Sequence, residues 1–169
     1  AMRPLTEAPF DVHLMVVNPD LLAEQVIEAG ANRVSVHPEV AGRLEQRLAR
    51  IRELGAQPGI AISPGTPLEM IEWALGEADY LVVMSVNPGF SGQKFIPSSK
   101  RKLEALAEKV KHSTRRPRIM LDGGIGLRNI AELAALGADD LVVGGSVFYN
   151  RPAKDRQKVV RRNAGASLV

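Results

Sequence analysis

Six short apolar runs rich in β-branched residues recur along the chain, and each has the length of a buried β-strand. They cover residues 10–17, 33–36, 59–62, 80–86, 118–121 and 140–143. Helical spacing of apolar positions separates them, over residues 20–29, 41–54, 67–75, 97–111 and 127–136. This alternation predicts an α/β protein whose parallel strands are joined by crossover helices.

Glycines punctuate the pattern in a regular way. Gly30, Gly55 and Gly137 each follow a helical segment, where a left-handed C-terminal cap is needed, and each precedes the next strand. The repeat is a βα unit of roughly 25 to 30 residues, as in a barrel or a doubly wound sheet. We expect one domain over residues 1–169, in which residues 150–169 form a last helix and a C-terminal tail.

The length of the chain conflicts with a closed barrel. It has 169 residues, whereas a complete eight-unit βα barrel typically needs about 250 and seldom fewer than about 200. Six of eight strands would leave two unpaired edges. An open Rossmann-like sheet avoids that difficulty. The residues at the strand ends are therefore needed to distinguish a βα barrel from an open sheet.

Composition narrows the class of protein. The chain is 45% hydrophobic and 24% charged, as in one globular domain, and it contains no cysteine, which fits a reducing cytosol. No apolar run approaches the roughly 20 residues that span a bilayer, so we expect a cytoplasmic protein without a membrane partner. The net charge of +3 is interleaved with glutamates. Even the basic run at residues 151–162 is therefore interpreted as an exposed helix face, and no nucleic-acid partner is expected.

Two ionisable residues at strand ends are candidates for chemistry. Strand alternation places His13 and Met15 on one face of the first strand. A histidine there needs a hydrogen-bond partner or a metal, and a satisfied core histidine is the competing interpretation. Asp122 directly follows an apolar run, so its carboxylate is partly desolvated unless it is paired or bound to a cation.

Glycine clusters follow three successive strands. They lie at residues 89–92, at Gly123-Gly124 and at Gly144-Gly145. Such clusters expose backbone N–H groups, and phosphate in βα barrels is held by loops of this kind. A plain Asp-Gly-Gly turn is the competing interpretation of Gly123-Gly124, but three clusters at successive strand ends favour a phosphate site.

The motifs together resemble a known family. The segments DVHLM, VHPE, SPGTP, MSVNPGFSGQKFIP, DGGI and GADDLVVGGSVF, in this order and spacing, are similar to ribulose-phosphate 3-epimerases over residues 9–148. The resemblance implies a ribulose-phosphate-binding TIM (β/α) barrel with about six of its eight βα units. It also implies an isomerase of the pentose phosphate pathway, which interconverts D-ribulose 5-phosphate and D-xylulose 5-phosphate by proton transfer at C3.

The resemblance also assigns roles to residues. It implies that His13 and Asp122 bind a divalent metal (zinc, iron(II), manganese or cobalt) and contact substrate, and that Asp122 is one of two acid/base aspartates. Met15 and Met84 match methionines that flank the reacting carbons, although plain core roles explain them equally well. The implied substrate and phosphate contacts are Gly89, Phe90, Ser91, Gly92, Gly123, Gly124, Gly144 and Gly145.

The sequence also departs from the family. Two opening strands, with two metal ligands and the second acid/base aspartate, are not in this chain, so we expect it to be inactive or severely impaired. The order Ala1-Met2 is compatible with a start placed too far downstream or with a shortened protein. Ser63 replaces a common asparagine, and Gly145-Ser146 replaces a common Ser-Ala. Glu39 is the nearby candidate for a substitute carboxylate, but that role is disfavoured because the base must lie within hydrogen-bond reach on the face opposite Asp122.

Other functions stay open at this point. A 3-epimerase of another ketose phosphate, such as allulose 6-phosphate, would use the same phosphate contacts. A non-catalytic phosphate-binding or assembly protein would use its open edges to form a homo-oligomer. A Rossmann nucleotide-binder is disfavoured, because no G-x-G-x-x-G follows the first strand.

Overall fold

A computed structural model describes residues 2–40, 42–148 and 167–168, and these form one parallel sheet flanked by helices. The strands lie side by side in chain order: β1 (Asp11–Leu14), β2 (Arg33–Val36), β3 (Gln57–Ile62), β4 (Tyr80–Met84), β5 (Arg118–Asp122), β6 (Asp140–Val142) and β7 (Ser167–Leu168). The α-helices are α1 (Asp20–Glu28), α2 (Leu44–Glu53), α3 (Ser99–Val110), α4 (Ile130–Ala135) and α5 (Gly145–Phe148). Short 3-10 helices cover Arg3–Leu5, Pro38–Val40, Leu68–Met70 and Glu72–Glu77.

The six predicted strands are confirmed, and all are parallel. Gly30, Gly55 and Gly137 have φ values of 103°, 90° and 108°, as left-handed caps require. The two-residue strand β7 was not predicted, and it falls in the segment assigned to a last helix and tail. Residues 149–166, which include most of that segment, lie outside the described residues.

Two helical segments differ from the prediction. Residues 67–75 form two 3-10 helices joined at Ile71 instead of one α-helix. Ile71 and Ala74 are both fully buried and three residues apart, which suits the three-residue period of a 3-10 helix. The second difference is α5, which begins at Gly145 where only a glycine pair in a loop was expected.

The outer face of the sheet carries the main hydrophobic core. Alternate strand residues, such as Val34, Ile60, Leu81, Ile119 and Leu141, pack there with the buried side of the helices. The other residues of each strand point to the inner face of the curled sheet, as the two-residue period of a strand requires. Ala61, Tyr80, Val82, Met120 and Val142 form a separate inner apolar cluster.

The amino end of the inner face is closed by a polar cluster. The Tyr80 ring lies directly against the backbone of Gly59, and its hydroxyl donates to Asp11 at 2.8 Å. The Arg118 guanidinium donates twice to Asp140, at 2.9 and 2.6 Å. These hydrogen bonds engage Tyr80, Arg118 and Asp140, whereas Oδ2 of Asp11 is buried and has no hydrogen-bond partner among the described residues.

One further property concerns membranes. Among residues 2–40, 42–148 and 167–168, none of the helices has the length and apolar character needed to cross a bilayer. The helices instead pack on the outer face of the sheet.

Candidate active site

His13 and Asp122 line one cavity on the inner face, although they come from strands β1 and β5. The cavity has a volume of about 410 Å³, and its walls are formed by Met2, Pro9, Phe10, Asp11, Val12, His13, Val82, Met120, Asp122 and Val142. The curl of the sheet brings these strands towards each other. The structure thus places together the two ionisable residues that the sequence singled out.

His13 is held by a second histidine. Its Nε2 atom lies 2.8 Å from Nε2 of His37, and the two rings are stacked with centroids 4.9 Å apart. Its Nδ1 atom is buried and has no hydrogen-bond partner among the described residues. Burial, with a smaller contribution from His37, lowers the pKa of His13 to about 4, although Glu39 opposes the shift. His13 is therefore neutral near pH 7 and retains a lone pair.

Glu39 anchors the other side of His37. Its Oε2 atom accepts from Nδ1 of His37 at 3.2 Å, and its Oε1 atom accepts from the Thr66 hydroxyl and from the Ser63 backbone N–H. Burial alone would raise the pKa of Glu39, but these hydrogen bonds together lower it. Glu39 is thus committed to His37 and its neighbours, which argues against its use as a substitute acid/base.

Asp122 ends strand β5, and Ser85 fixes its backbone. The Ser85 N–H donates to the Asp122 carbonyl at 2.7 Å, and the Ser85 hydroxyl lies 2.9 Å from that carbonyl and 2.6 Å from the Gly123 carbonyl. Burial raises the pKa of the Asp122 carboxyl, and the negative charge of Asp11 raises it further. A carboxyl group with a raised pKa keeps its proton to a higher pH than an ordinary aspartate, which makes Asp122 a candidate acid/base.

The described residues do not complete a metal site. Across residues 2–40, 42–148 and 167–168, no group of three or more His, Cys, Asp or Glu side chains is placed to hold a metal ion. His13 and Asp122 supply two donors, whereas stable sites for such cations usually take three or more protein ligands. The residues described here therefore do not fit a resident metal by themselves.

The glycine loops after β4, β5 and β6 touch one another. A Cβ atom on Gly123 would lie 2.5 Å from the Val86 side chain, and one on Gly124 would collide with the backbone of Phe95. A Cβ atom on Gly126 would lie 2.6 Å from Oγ of Ser146. The loops thus form one continuous rim at the carboxyl edge, and only glycine permits this closeness.

The loop after β4 is shaped by two glycines and a glutamine. Gly89 and Gly92 have φ values of 132° and 83°. The Gln93 side chain donates to the carbonyl of Asn87 at 2.6 Å and to that of Phe90 at 3.0 Å. Ser91 lies between Gly89 and Gly92, and all four residues 89–92 are exposed. The loop is therefore folded in advance and open to a ligand.

The remaining predicted site residues are spread along the same edge. Gly144 and Gly145 are exposed beside the end of β6. Met84 is only 1% exposed, whereas Met15 is 44% exposed beyond the end of β1. Neither methionine lines the inner cavity. Burial makes Met84 a core residue here, while the position of Met15 leaves it available to a ligand.

A second cavity lies on the other side of the sheet, between α1 and α2. It has a volume of about 520 Å³ and is lined by charged side chains that already pair, including Arg47 with Asp20 and Arg50 with Glu24. None of the predicted site residues lines it. The inner-face cavity is therefore the candidate site.

The sequence did not indicate a role for three residues around the site. His37 and Ser85 lie inside the motifs VHPE and MSVNPGFSGQKFIP. Lys102 lies on α3, and its ammonium group donates to the carbonyls of Ser63, Pro64 and Thr66 at 2.9, 2.6 and 2.6 Å. The signal available for His37 was a polar residue immediately after a buried strand.

The fold and the site together define a (β/α)-barrel protein. Asp122 and the glycine loops lie at the carboxyl edge of a parallel sheet, where such proteins place their active sites, and the inner-face cavity extends to Asp122 from the amino end of β1. Solved barrels share the fold. The chain superposes with a TM-score of 0.73 on KGPDC from Streptococcus mutans, at 6% identity, covering 97% of this chain and 75% of that one. With 3-hexulose-6-phosphate synthase from Salmonella typhimurium, the TM-score is 0.69 at 22% identity, covering 96% and 74%.

Sequence comparison is more specific. A family model described as the ribulose-phosphate 3 epimerase family matches residues 1–148. The chain is 45% identical to ribulose-phosphate 3-epimerase of Aquifex aeolicus, covering 95% of this chain and 71% of that protein. It is 40% identical to the chloroplastic enzyme of Arabidopsis thaliana, covering 95% and 57%. For the Escherichia coli K12 enzyme the identity is 39%, covering 90% and 67%.

The chain belongs to the ribulose-phosphate 3-epimerase family, whose members are isomerases. It spans about 57% to 71% of the length of the three relatives above. All three are named for ribulose phosphate, so the alternatives of another ketose phosphate or a non-catalytic protein are not favoured.

Proposed function

We propose that this chain carries one half of the active site of a ribulose-phosphate 3-epimerase, acting on D-ribulose 5-phosphate and D-xylulose 5-phosphate. The observation that supports this most directly is the cavity shared by His13 and Asp122, beside a continuous rim of glycine loops. The Aquifex aeolicus relative, 45% identical, bears the name of this activity.

In this proposal Asp122 transfers the proton at C3 of the ketose phosphate. Its raised pKa makes the carboxyl group a suitable acid in one direction and a base in the other. Neutral His13 offers a lone pair beside it. The backbone N–H groups of residues 89–92, Gly123-Gly124 and Gly144-Gly145 bind the phosphate in this proposal. The substrate then lies along the rim, with C3 over the inner cavity.

Inversion at C3 needs a second proton-transfer group on the opposite face of the substrate. Asp11 is the other carboxylate that lines the cavity, but the Tyr80 hydroxyl donates to it at 2.8 Å and Arg33 lies 4.0 Å away. Glu39 is held by His37 and Thr66. We therefore expect the 169-residue chain alone to bind a ketose phosphate and to epimerise it poorly.

The divalent cation expected from the family resemblance belongs to the same proposal. Zinc, iron(II), manganese or cobalt would take His13 and Asp122 as two of its ligands and the rest from elsewhere. Cytoplasmic localisation and a homo-oligomer remain proposals as well. Analytical ultracentrifugation of the purified chain tests the oligomer, and a single monomeric species would contradict it.

The test separates binding from turnover. Titration calorimetry with ribulose 5-phosphate is expected to show binding by the wild-type chain and by Asp122→Asn, and weaker binding by Gly124→Val. Xylulose 5-phosphate formation, measured with each metal added, is expected to fall far below a usual enzyme rate of about 10 per second. Absence of ketose phosphate binding would refute the proposed function, and turnover near the usual rate would refute the half-site.

A further inference from the structure

Three side chains at the ends of neighbouring strands form a continuous hydrogen-bonded series. Glu39 Oε2 lies 3.2 Å from His37 Nδ1, and His37 Nε2 lies 2.8 Å from His13 Nε2. His37 is only 6% exposed, so its ring has little access to water. The series ends at His13 Nδ1, which is buried and has no partner within the described part of the chain.

The direction of the protons in this series follows from Glu39. Its Oε1 atom already accepts from the Thr66 hydroxyl and the Ser63 N–H, as an ionised carboxylate does. The carboxylate can therefore only accept from His37, so a His37 ring that carries one proton has it on Nδ1, and its Nε2 is then an acceptor. The Ser63 hydroxyl is a longer contact of the same Nδ1, at 3.5 Å.

The contact between the two rings then determines which nitrogen of His13 carries the proton. Because His37 Nε2 accepts, His13 Nε2 must donate across the 2.8 Å contact. A neutral imidazole carries one N–H, so His13 Nδ1 keeps its lone pair. We infer that Glu39 and His37 are positioning residues that hold His13 in the Nε2–H tautomer, with the lone pair of Nδ1 kept as an acceptor for a hydroxyl proton.

Lys102 supports the same series from outside. Its ammonium group donates to the carbonyls of Ser63, Pro64 and Thr66, all within 2.9 Å. Two of these three residues supply the donors to Glu39. The lysine therefore holds the loop after β3 in the conformation that keeps Glu39 an acceptor towards His37. The use of the His13 lone pair rests on the proposed function, but the tautomer does not.

The chain suits a direct test, because it has only three histidines. Long-range ¹H–¹⁵N correlation spectra of the ¹⁵N-labelled chain at pH 8 report which nitrogen of each neutral imidazole carries the proton. His112→Gln assigns the exposed ring. We expect His37 to be protonated on Nδ1 and His13 on Nε2, each as a single tautomer.

The variant Glu39→Gln is expected to remove the preference for one tautomer in both His37 and His13. Its amide can donate to His37 Nδ1, so His37 and His13 should populate the opposite tautomers as well. Glu45→Gln, an exposed change on α2, is the matched control and should leave both rings as in the wild type. Measuring these spectra needs neither substrate nor metal, so a chain without epimerase activity still answers the question.

Two results would overturn the inference. One is a wild-type His13 protonated on Nδ1, or a doubly protonated His37 that donates towards His13 at pH 8. The other is a folded Glu39→Gln variant in which both tautomers are unchanged. If Glu39→Gln does not fold, the wild-type spectrum decides alone, since the inference requires one particular pair of tautomers.

Discussion

The buried imidazole of His13 should make the stability of the protein depend on pH. Burial and His37 lower its pKa to about 4 in the folded state, against 6.5 for the ordinary group. The unfolded chain therefore binds a proton at a higher pH than the folded chain does. Stability rises with pH wherever the unfolded state holds more protons. The contribution of His13 is thus fully present above about pH 6.5 and is lost as the pH falls towards 4.

The size of the effect follows from the shift. One pKa unit corresponds to about 1.4 kcal/mol, so lowering the pH from 7.5 to 5 should reduce the free energy of unfolding by about 2 kcal/mol through His13 alone. Asp11 and Asp122 act in the opposite sense, because burial raises the pKa of both. Their contribution is present below the ordinary aspartate pKa and is lost as the pH rises through their raised folded-state pKa values, so it offsets part of the His13 effect on the acidic side.

Urea unfolding at pH 5, 6 and 7.5 measures this dependence. Between pH 7.5 and 5, the free energy of unfolding of the variant His13→Gln should fall by about 2 kcal/mol less than that of the wild type. His112→Gln is the matched control, because His112 is exposed on the loop after α3 and should leave the pH dependence unaltered. Equal pH dependence in the wild type and His13→Gln would refute the burial argument.

Three further substitutions test the packing around the site by urea unfolding. Gly59→Ala forces a methyl group into the Tyr80 ring and should lower the free energy of unfolding by about 1 to 3 kcal/mol. The loss should be smaller in a Tyr80→Val background, and an equal loss would contradict the contact. Lys102→Met removes three hydrogen bonds to carbonyls and should cost about 1 to 3 kcal/mol, whereas the exposed change Lys111→Met should cost much less. Gly124→Ala places a Cβ at φ 63° against a neighbouring backbone and should lower stability and ketose phosphate binding together, so unchanged binding would argue against the phosphate rim.

Local patterns were sufficient to predict strands β1 to β6, but not β7. Each predicted strand is a short apolar run, and each cap glycine lies where the preceding helix must end. The two-residue period also placed His13 on the opposite face from Val12 and Leu14, which pack with the main core. These features depend on a few neighbouring residues, and so a single sequence contains them.

The sequence alone did not predict the contacts between residues of different strands. His37 meets His13 only because the parallel register pairs His13 with Ser35, two residues before His37. Nothing in either segment specifies that register. In the same way, Gly59 is needed because Tyr80 of the adjacent strand fills the space above it, and the helical pattern at residues 67–75 did not distinguish a 3-10 helix from an α-helix.

The position of Asp11 links the closed and open ends of the inner face. Tyr80 and Arg33 hold its carboxylate at the amino end, yet Asp11 also lines the cavity that contains Asp122. A carboxylate restrained in this way is poorly placed to move a proton, but its charge raises the pKa of Asp122. Under the proposed function, Asp11 sets the local potential and Asp122 transfers the proton. We therefore expect that the second carboxylate beside the cavity does not complete a two-base epimerase site.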